Sequence, residues 1–386
     1  MRVELDGYYL VGGPSRLAVV RGEARVIGYR VIEGDHLVVP AGRRFPAVLS
    51  GVFDVLPEPG RVSALDPRSY ELMENAARAI SRFKRPVLLG PTDSGKSTLA
   101  AWILNVKGGG FLLTMDVGQN ELHCPGFSSL AAASPPVLPG GSFRLVSSCF
   151  IGSFSPRGVE RVYLSCASTL SRMAGGDLVV DSDGWVSLPD GVTLKAGLAG
   201  VVDADAIVSV GLSGDALELL RSLVRAKILE LPRLVAKTKS REDRVMHRER
   251  LIAKNLEGAK TRAFKVSTVK FHGLPVFKGR ELPKSELSKL DPRAIYGERQ
   301  GEMLVLVSKR PQARAADVTY LKPGWERGLI ASVMDKSGAS ALGLIEKIDY
   351  SRKLVHVYTG FKGLPDCIIV GRERIDPSPF KGRVSW

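Results

Sequence analysis

The chain has 386 residues, 44% of them hydrophobic, and its 55 lysines and arginines against 40 acidic residues give a net charge of +15 and a pI near 9.7. That length supports two or three domains with a sizeable core, and the basic excess favours a polyanionic partner, of which nucleic acid is the commonest. The absence of any run of eighteen apolar residues, a start (Met1-Arg2-Val3-Glu4-Leu5-Asp6) without a signal-peptide core, and four cysteines (Cys124, Cys149, Cys166, Cys367) without C-x-x-C spacing argue against a membrane span, secretion, a zinc ribbon and a disulfide framework; they predict a cytoplasmic protein, or a nuclear one in a eukaryote, with buried thiols.

In chain order, the first sixty or so residues are rich in β-formers (17–20, 25–32 and 37–39, the last after the turn Glu33-Gly34-Asp35) and predict a small antiparallel domain. Pro57, Pro59 and Gly60 break the pattern, and Pro67 opens a helix carrying Leu72, Ala76, Ile80 and Phe83 at i+4 steps, so a first boundary falls near residue 66. Strands at 87–89, 111–115, 178–180 and 206–210 then alternate with helical stretches around 97–105, 160–173 and 215–229, the pattern of a doubly wound parallel sheet. Beyond residue 260 short strands return (303–307, 329–333, 344–348, 354–358, 368–370) and predict a second β domain. The expected organisation is an N-terminal β domain (1–66), a P-loop domain (67–259) with a lid near 233–259, and a C-terminal β-rich domain (260–386).

The chemistry centres on Gly90-Pro91-Thr92-Asp93-Ser94-Gly95-Lys96-Ser97-Thr98, which fits G-x-x-x-x-G-K-[ST] between an apolar strand (87–89) and a helix whose Leu99, Trp102 and Ile103 share a face. The glycines allow backbone N–H groups to converge on phosphate oxygens, the helix N-terminus adds positive potential, Lys96 reaches the β/γ-phosphates and Ser97 serves Mg²⁺. The motif predicts a nucleoside triphosphate site using Gly90, Thr92, Asp93, Ser94, Gly95, Lys96, Ser97 and Thr98. Asp116 ends the next strand, where an acid beside a phosphate cradle holds Mg²⁺ or accepts a proton from an attacking hydroxyl; a turn at Gly118 is the plainer alternative. Between Arg233 and Arg262 ten basic residues face four acids, and Arg241, Arg244 and Arg248 fall on one helical face, suited to a solvated surface or to a triphosphate. Trp185 follows Gly184 at a strand's carboxyl end and reads as core or as a stacking platform; Gln119 and Ser155 read as ligand contacts or loop supports.

These segments resemble, in order, the polynucleotide 5′-hydroxyl kinases related to the RNA kinase of the pre-mRNA cleavage factor and to the nucleolar pre-rRNA kinase, in an archaeal-like arrangement. The Asp116-Val117-Gly118-Gln119 stretch with Pro125-Gly126 is similar to that family's D-x-D-x-G-Q and Pro-Gly. The stretch 150–156 is similar to its clasp, 181–186 to its Gly-Trp turn, and 240–248 to its lid, with the paired arginines on Arg244 and Arg248. The resemblance implies an ATP- and Mg²⁺-dependent kinase acting on the 5′-OH of single-stranded nucleic acid, RNA preferred, in RNA processing alongside other processing proteins. Lys96, Asp116, Arg244 and Arg248 would be catalytic, Ser97 and Asp116 metal-binding, and Gln119, Ser155, Trp185 and Arg241 would contact the acceptor. Thr114 stands where the family has its first aspartate, which leaves Asp116 with both acid roles and Glu121 as a candidate second acid. A nucleotide-locked scaffold is the rival reading, and a GTPase ranks last because no N-K-x-D segment is present.

Overall fold

The computed structural model describes residues 2–56, 61–141, 143–234, 240–309 and 317–376. The expected break at Pro57, Pro59 and Gly60 and part of the expected lid segment (235–239) lie outside the described residues. By contact the chain divides into two compact units, one of residues 1–151 and 155–247, the other of residues 152–154 and 248–386.

The first unit opens with a six-stranded antiparallel sheet of β1 (Arg2–Gly12), β2 (Ser15–Val26), β3 (Tyr29–Ile32), β4 (His36–Val39), β5 (Arg44–Leu56) and β6 (Val62–Ala64). Helix α1 (Pro67–Ile80) starts as predicted, with Pro67 in its first turn and the Asp66 carboxylate accepting from the Arg68 amide at 3.1 Å. Its buried stripe is Tyr70, Met73, Ala76, Ala77 and Ile80; Leu72 faces solvent and Phe83 lies beyond the helix. The apolar residues sit at 3.6-residue periodicity, from which uniform i+4 steps drift away.

A seven-stranded sheet follows, in the order β10-β9-β8-β11-β7-β12-β13, from β7 (Pro86–Leu89), β8 (Gly110–Met115), β9 (Phe127–Ala133), β10 (Arg144–Phe150), β11 (Leu178–Ser182), β12 (Ala206–Val210) and β13 (Lys227–Leu231). Strands β8, β11, β7, β12 and β13 run parallel, while β9 and β10 add an antiparallel edge. Helices α2 (Lys96–Lys107), α3 (Glu160–Arg172), α4 (Asp190–Val201) and α5 (Gly214–Leu223) cover it. The helix expected over 215–229 stops at Leu223 because Val224 is extended and the chain re-enters the sheet as β13. Alternation along the strands feeds two cores: Leu88, Val179 and Val208 face one, and Val87, Leu89, Val180 and Ile207 the other. The first core is continuous with the N-terminal sheet through Val11, Leu17, Phe45 and Phe53 and through Trp102 of α2.

Two cysteines correct the sequence reading. Cys124 and Cys367 are buried thiols, but Cys149 at the end of β10 and Cys166 in α3 form a disulfide, their Cα atoms 5.6 Å apart. Spacing within the sequence carries no sign of this pair, because packing of α3 against β10 is what brings them together.

Helix α6 (Arg241–Asn255) contributes residues to both units. The second unit holds a six-stranded sheet of β14 (Lys260–Lys265), β15 (Lys270–His272), β20 (Leu329–Met334), β21 (Ser340–Asp349), β22 (Leu354–Thr359) and β23 (Cys367–Arg374), in the order β14-β22-β21-β20-β23-β15. A four-stranded sheet of β16 (Arg280–Glu281), β17 (Ala294–Gln300), β18 (Met303–Ser308) and β19 (Val318–Leu321) carries helix α7 (Lys284–Leu290). The first three clasp residues after Ile151 belong here. The Arg372 amide donates to the Gly152 carbonyl at 2.9 Å, and Ser153 Oγ donates to Glu373 Oε1 at 2.9 Å. A Cβ at Gly371 would come within 2.6 Å of the Gly152 backbone, so these two backbones approach as only glycine permits.

Candidate active site

The glycine-rich turn leaves β7 and enters α2. Gly90 has φ +152° and an added Cβ would sit 2.1 Å from the Val210 carbonyl oxygen, so the turn fits against β12 only without a side chain. Asp93 holds φ +57° and Gly95 φ +102°, and α2 begins at Lys96, leaving its first amides directed at the turn. Lys96 Nζ donates to the carbonyls of Gly90 and Pro91, both at 2.9 Å.

Ser97 Oγ donates to Asp181 Oδ2 at 2.6 Å, and Asp181 Oδ1 is buried without a hydrogen-bond partner among the described residues. Burial pushes the Asp181 carboxyl up to about 6, against the pull of Lys96 and Ser97. A hydroxyl beside a carboxylate with an unsatisfied oxygen is a hard-oxygen donor set that fits Mg²⁺, an ion commonly held by one or two carboxylates together with substrate phosphates. By sequence this role falls to Asp116; in the structure the carboxylate hydrogen-bonded to Ser97 is that of Asp181. Thr114 pairs with Asp181 across β8 and β11, so the acid absent from one strand is present at the same level of its neighbour. The signal was legible: an apolar run, Leu178-Val179-Val180, ending in an aspartate.

Asp116 ends β8 at the carboxyl edge of the parallel strands. Its Oδ1 accepts from the amides of Gly118 and Gln119, both at 3.1 Å, which fixes the carboxylate in the turn. Burial, and then the charge of Asp183, raise its pKa against the opposing pull of Lys96 and the two amides. Asp183 itself is buried, accepting from Lys195 Nζ and, at 2.7 Å, from Tyr163 Oη. A carboxylate raised in this way is a better proton acceptor than an ordinary surface acid.

The Trp185 amide donates to Asp183 Oδ1 at 2.8 Å, and its half-buried ring packs at the margin of the second core. Gly184 lies against the phosphate turn, where a Cβ would meet Thr92 Oγ1 at 2.1 Å. Gln119 is half-buried beside Asp116, and Ser155 Oγ accepts from the Arg157 amide at 3.3 Å.

The lid helix α6 is capped reciprocally: the Asp243 amide donates to Ser240 Oγ and the Ser240 amide to Asp243 Oδ2, each at 3.0 Å. Arg244 Nη1 reaches Asp93 Oδ2 of the phosphate turn at 3.2 Å. Arg233, ahead of the lid, donates to the carbonyls of Thr92 at 3.2 Å and Asp93 at 3.4 Å. The paired lid arginines have different neighbours: Arg244 has Asp93, while Arg248 stacks its guanidinium on the Phe154 ring at 4.6 Å; Arg241 is exposed. Glu121, a candidate second acid by sequence, instead pairs with Arg43 and has its Oε1 2.8 Å from His247 Nε2. His247, one turn from Arg244 on the same face, had not been singled out.

Known proteins align with this arrangement. Residues 90–258 match the family model for the P-loop of the mRNA cleavage and polyadenylation factor CLP1. A curated polyribonucleotide 5′-hydroxyl-kinase from Pyrococcus abyssi is 24% identical over 326 residues, covering 78% of this chain and 91% of that protein. Another, from Methanocaldococcus jannaschii, is 24% identical over 315 residues, covering 75% and 87%. The solved complex of wild-type Clp1p with Pcf11p superposes at a TM-score of 0.64 with 12% identity over 97% of both chains, which establishes the shared fold. Phosphate turn, parallel sheet and matched segment together make this chain similar to the CLP1 P-loop proteins and to the two archaeal polyribonucleotide 5′-hydroxyl-kinases, with the fold of Clp1p.

Proposed function

We propose that the chain is an ATP-dependent polynucleotide 5′-hydroxyl kinase acting on single-stranded RNA. The observation that carries this reading is the division of labour between two carboxylates at one sheet edge: Asp181 is bonded to Ser97, while Asp116, raised by burial and Asp183, is left for proton chemistry. A scaffold that merely holds nucleotide has no use for the second acid or for an arginine reaching the phosphate turn.

Ser97 and Asp181 are the residues that would hold Mg²⁺, whose chemistry is neutralisation of charge on the phosphates. The turn amides and Lys96 seat the β- and γ-phosphates of ATP. Asp116 orients the 5′-hydroxyl and takes its proton as the oxygen bonds to the γ-phosphorus and the bond from that phosphorus to the β,γ-bridging oxygen breaks, releasing ADP. Arg244, with Arg248 from the same helix, offsets charge on the moving phosphoryl group, and Trp185, Gln119, Ser155 and Arg241 meet the acceptor strand. RNA is favoured over DNA because the two curated relatives are named for polyribonucleotide. An RNA-processing protein partner belongs to the same reading, since a protein of this fold was solved in complex with Pcf11p.

Incubation with γ-labelled ATP and a 5′-OH RNA oligonucleotide tests the proposal, and label on the 5′ phosphate is expected. ATP binding with no label on any 5′-OH strand, RNA or DNA, would overturn it.

A further inference from the structure

Helix α4 carries one cation, Lys195, among residues that after Asp190 are otherwise uncharged, and its side chain is fully buried, with the residue 1% exposed. The ammonium donates to Asp183 Oδ2, its one hydrogen-bond partner among the described residues, and lies 5.2 Å from the centre of the Tyr163 ring. Asp183 is 5% exposed, so both ions have left water. A desolvated pair of this kind is often no more stable than apolar side chains of the same volume, so stability gives no reason for it. What a fully satisfied buried polar cluster does supply is a single fixed arrangement.

The carboxylate at the centre of this cluster is used on both oxygens. Oδ2 accepts from Lys195 Nζ and, at 2.7 Å, from Tyr163 Oη of α3, while Oδ1 accepts from the Trp185 amide at 2.8 Å. Tyr163 is completely buried, so neither anchor turns to solvent. The Trp185 backbone is confined from its other side as well. A Cβ at Gly191, in the first turn of α4, would come within 2.9 Å of the Trp185 carbonyl oxygen, and the Gly191 amide donates to the Ser187 carbonyl at 2.8 Å. The half-buried indole therefore stands on a backbone held between Asp183 and α4, and all of these residues belong to the first unit.

We infer that Asp183, fixed by Lys195 and Tyr163, is a positioning residue for the acceptor: through the Trp185 amide it sets the indole in one orientation for stacking on the base of the 5′ nucleotide. The acceptor role of Trp185 rests on the kinase reading; the hold on its backbone rests on the hydrogen bonds alone.

Lys195→Met by itself strands a buried carboxylate and is expected to unfold readily, so the test compares two charge-free double variants. One joins Lys195→Met to Asp183→Asn, whose amide oxygen still accepts from the Trp185 amide; the other joins Lys195→Met to Asp183→Leu, which has no acceptor. Urea unfolding checks that both are folded under assay conditions. In the kinase assay the Asn variant should keep the wild-type KM for a 5′-OH RNA oligonucleotide, and the Leu variant should raise it about tenfold, the scale of one weakened base stack. The KM for ATP and kcat should be the same in the two, which a general loosening of the fold would not produce. Adding Trp185→Ala to each should abolish the difference between them, because Asp183 acts through that residue. Amide exchange at Trp185 should be as slow in the Asn variant as in wild type and several-fold faster in the Leu variant. Equal acceptor KM in the two double variants, or a difference that survives Trp185→Ala, would overturn the inference and leave a purely structural ion pair. If no form phosphorylates any strand, the kinase reading fails, and exchange at Trp185 still decides whether Asp183 holds that backbone, equal rates in the two variants counting against it.

Discussion

Asp181 and Asp116 end neighbouring strands of one sheet, and their surroundings differ: Asp181 accepts from the Ser97 hydroxyl, Asp116 from two amides of its own turn. Asp181→Asn should keep the fold but remove the anionic half of the Ser97 pair. Mg²⁺-supported turnover is then expected to fall at least about a hundredfold, as for loss of a transition-state charge contact, in a steady-state assay across Mg²⁺ concentrations. Asp116→Asn should cut kcat by roughly 10²- to 10⁴-fold while ATP affinity, read by thermal shift, stays put. Because burial and Asp183 raise the Asp116 pKa, the acid limb of the wild-type kcat/KM profile should lie above the ordinary carboxylate range. His123 makes a separate pH prediction. Burial holds its imidazole down to about 4, so the folded protein resists a proton that the unfolded chain accepts near the usual 6.5. The stabilisation is complete above about 6.5 and is lost as pH falls toward about 4, up to about 3 kcal/mol. Urea unfolding of wild type and His123→Gln at neutral and acid pH should show wild type losing more by about that amount. Of these residues, the sequence motif singled out Asp116, but the role of Asp181 depends on strand order, which puts β11 between β7 and β8, and a linear reading does not contain that order.

At the scale of elements, the lid is a capped helix whose Arg244 is drawn toward the phosphate turn by Asp93. Arg244→Ala is expected to lower kcat at least about a hundredfold, with a much smaller effect on nucleotide affinity. Ser240→Ala removes the cap and should destabilise the first turn by about 1 kcal/mol, visible as faster amide exchange at 243–246, with a modest loss of rate. The lid was readable as a basic helix from the spacing of Arg241, Arg244 and Arg248. What was not readable is that Arg244 and Arg248 would take different neighbours, because i, i+4 spacing aligns Cβ atoms and leaves the long side chains to find their own contacts. Strands β9 and β10 and helix α4 also went unanticipated. The first two are rich in Ser, Ala and Cys, with Val146 their one β-branched residue, and α4 is apolar around its circumference, which removes the periodic signal.

Across the whole molecule, the three-part reading captured the succession of β, α/β and β elements, while packing joins the first two through one core. Trp102, fully buried, meets Tyr70 of α1 with ring centroids 5.0 Å apart and lies against Gly28 of the N-terminal sheet, where a Cβ would come within 2.6 Å of it. Asn105 stitches the same seam, its amide donating to the carbonyls of Ile27 and Val137. Trp102→Ala should cost about 3–5 kcal/mol, and amide-exchange probes in the N-terminal sheet and in β7 should weaken together rather than in sequence. An amphipathic reading of α2 predicted one apolar face; the helix is buried on nearly every side because it is sandwiched between two sheets, a fact that belongs to the assembled fold. The contact between Gly184 and Thr92 has a mechanical meaning. With no room for even a methyl group between them, any side chain at 184 would wedge the tryptophan's turn away from the loop that seats the phosphates, so Gly184→Ala should loosen both at once.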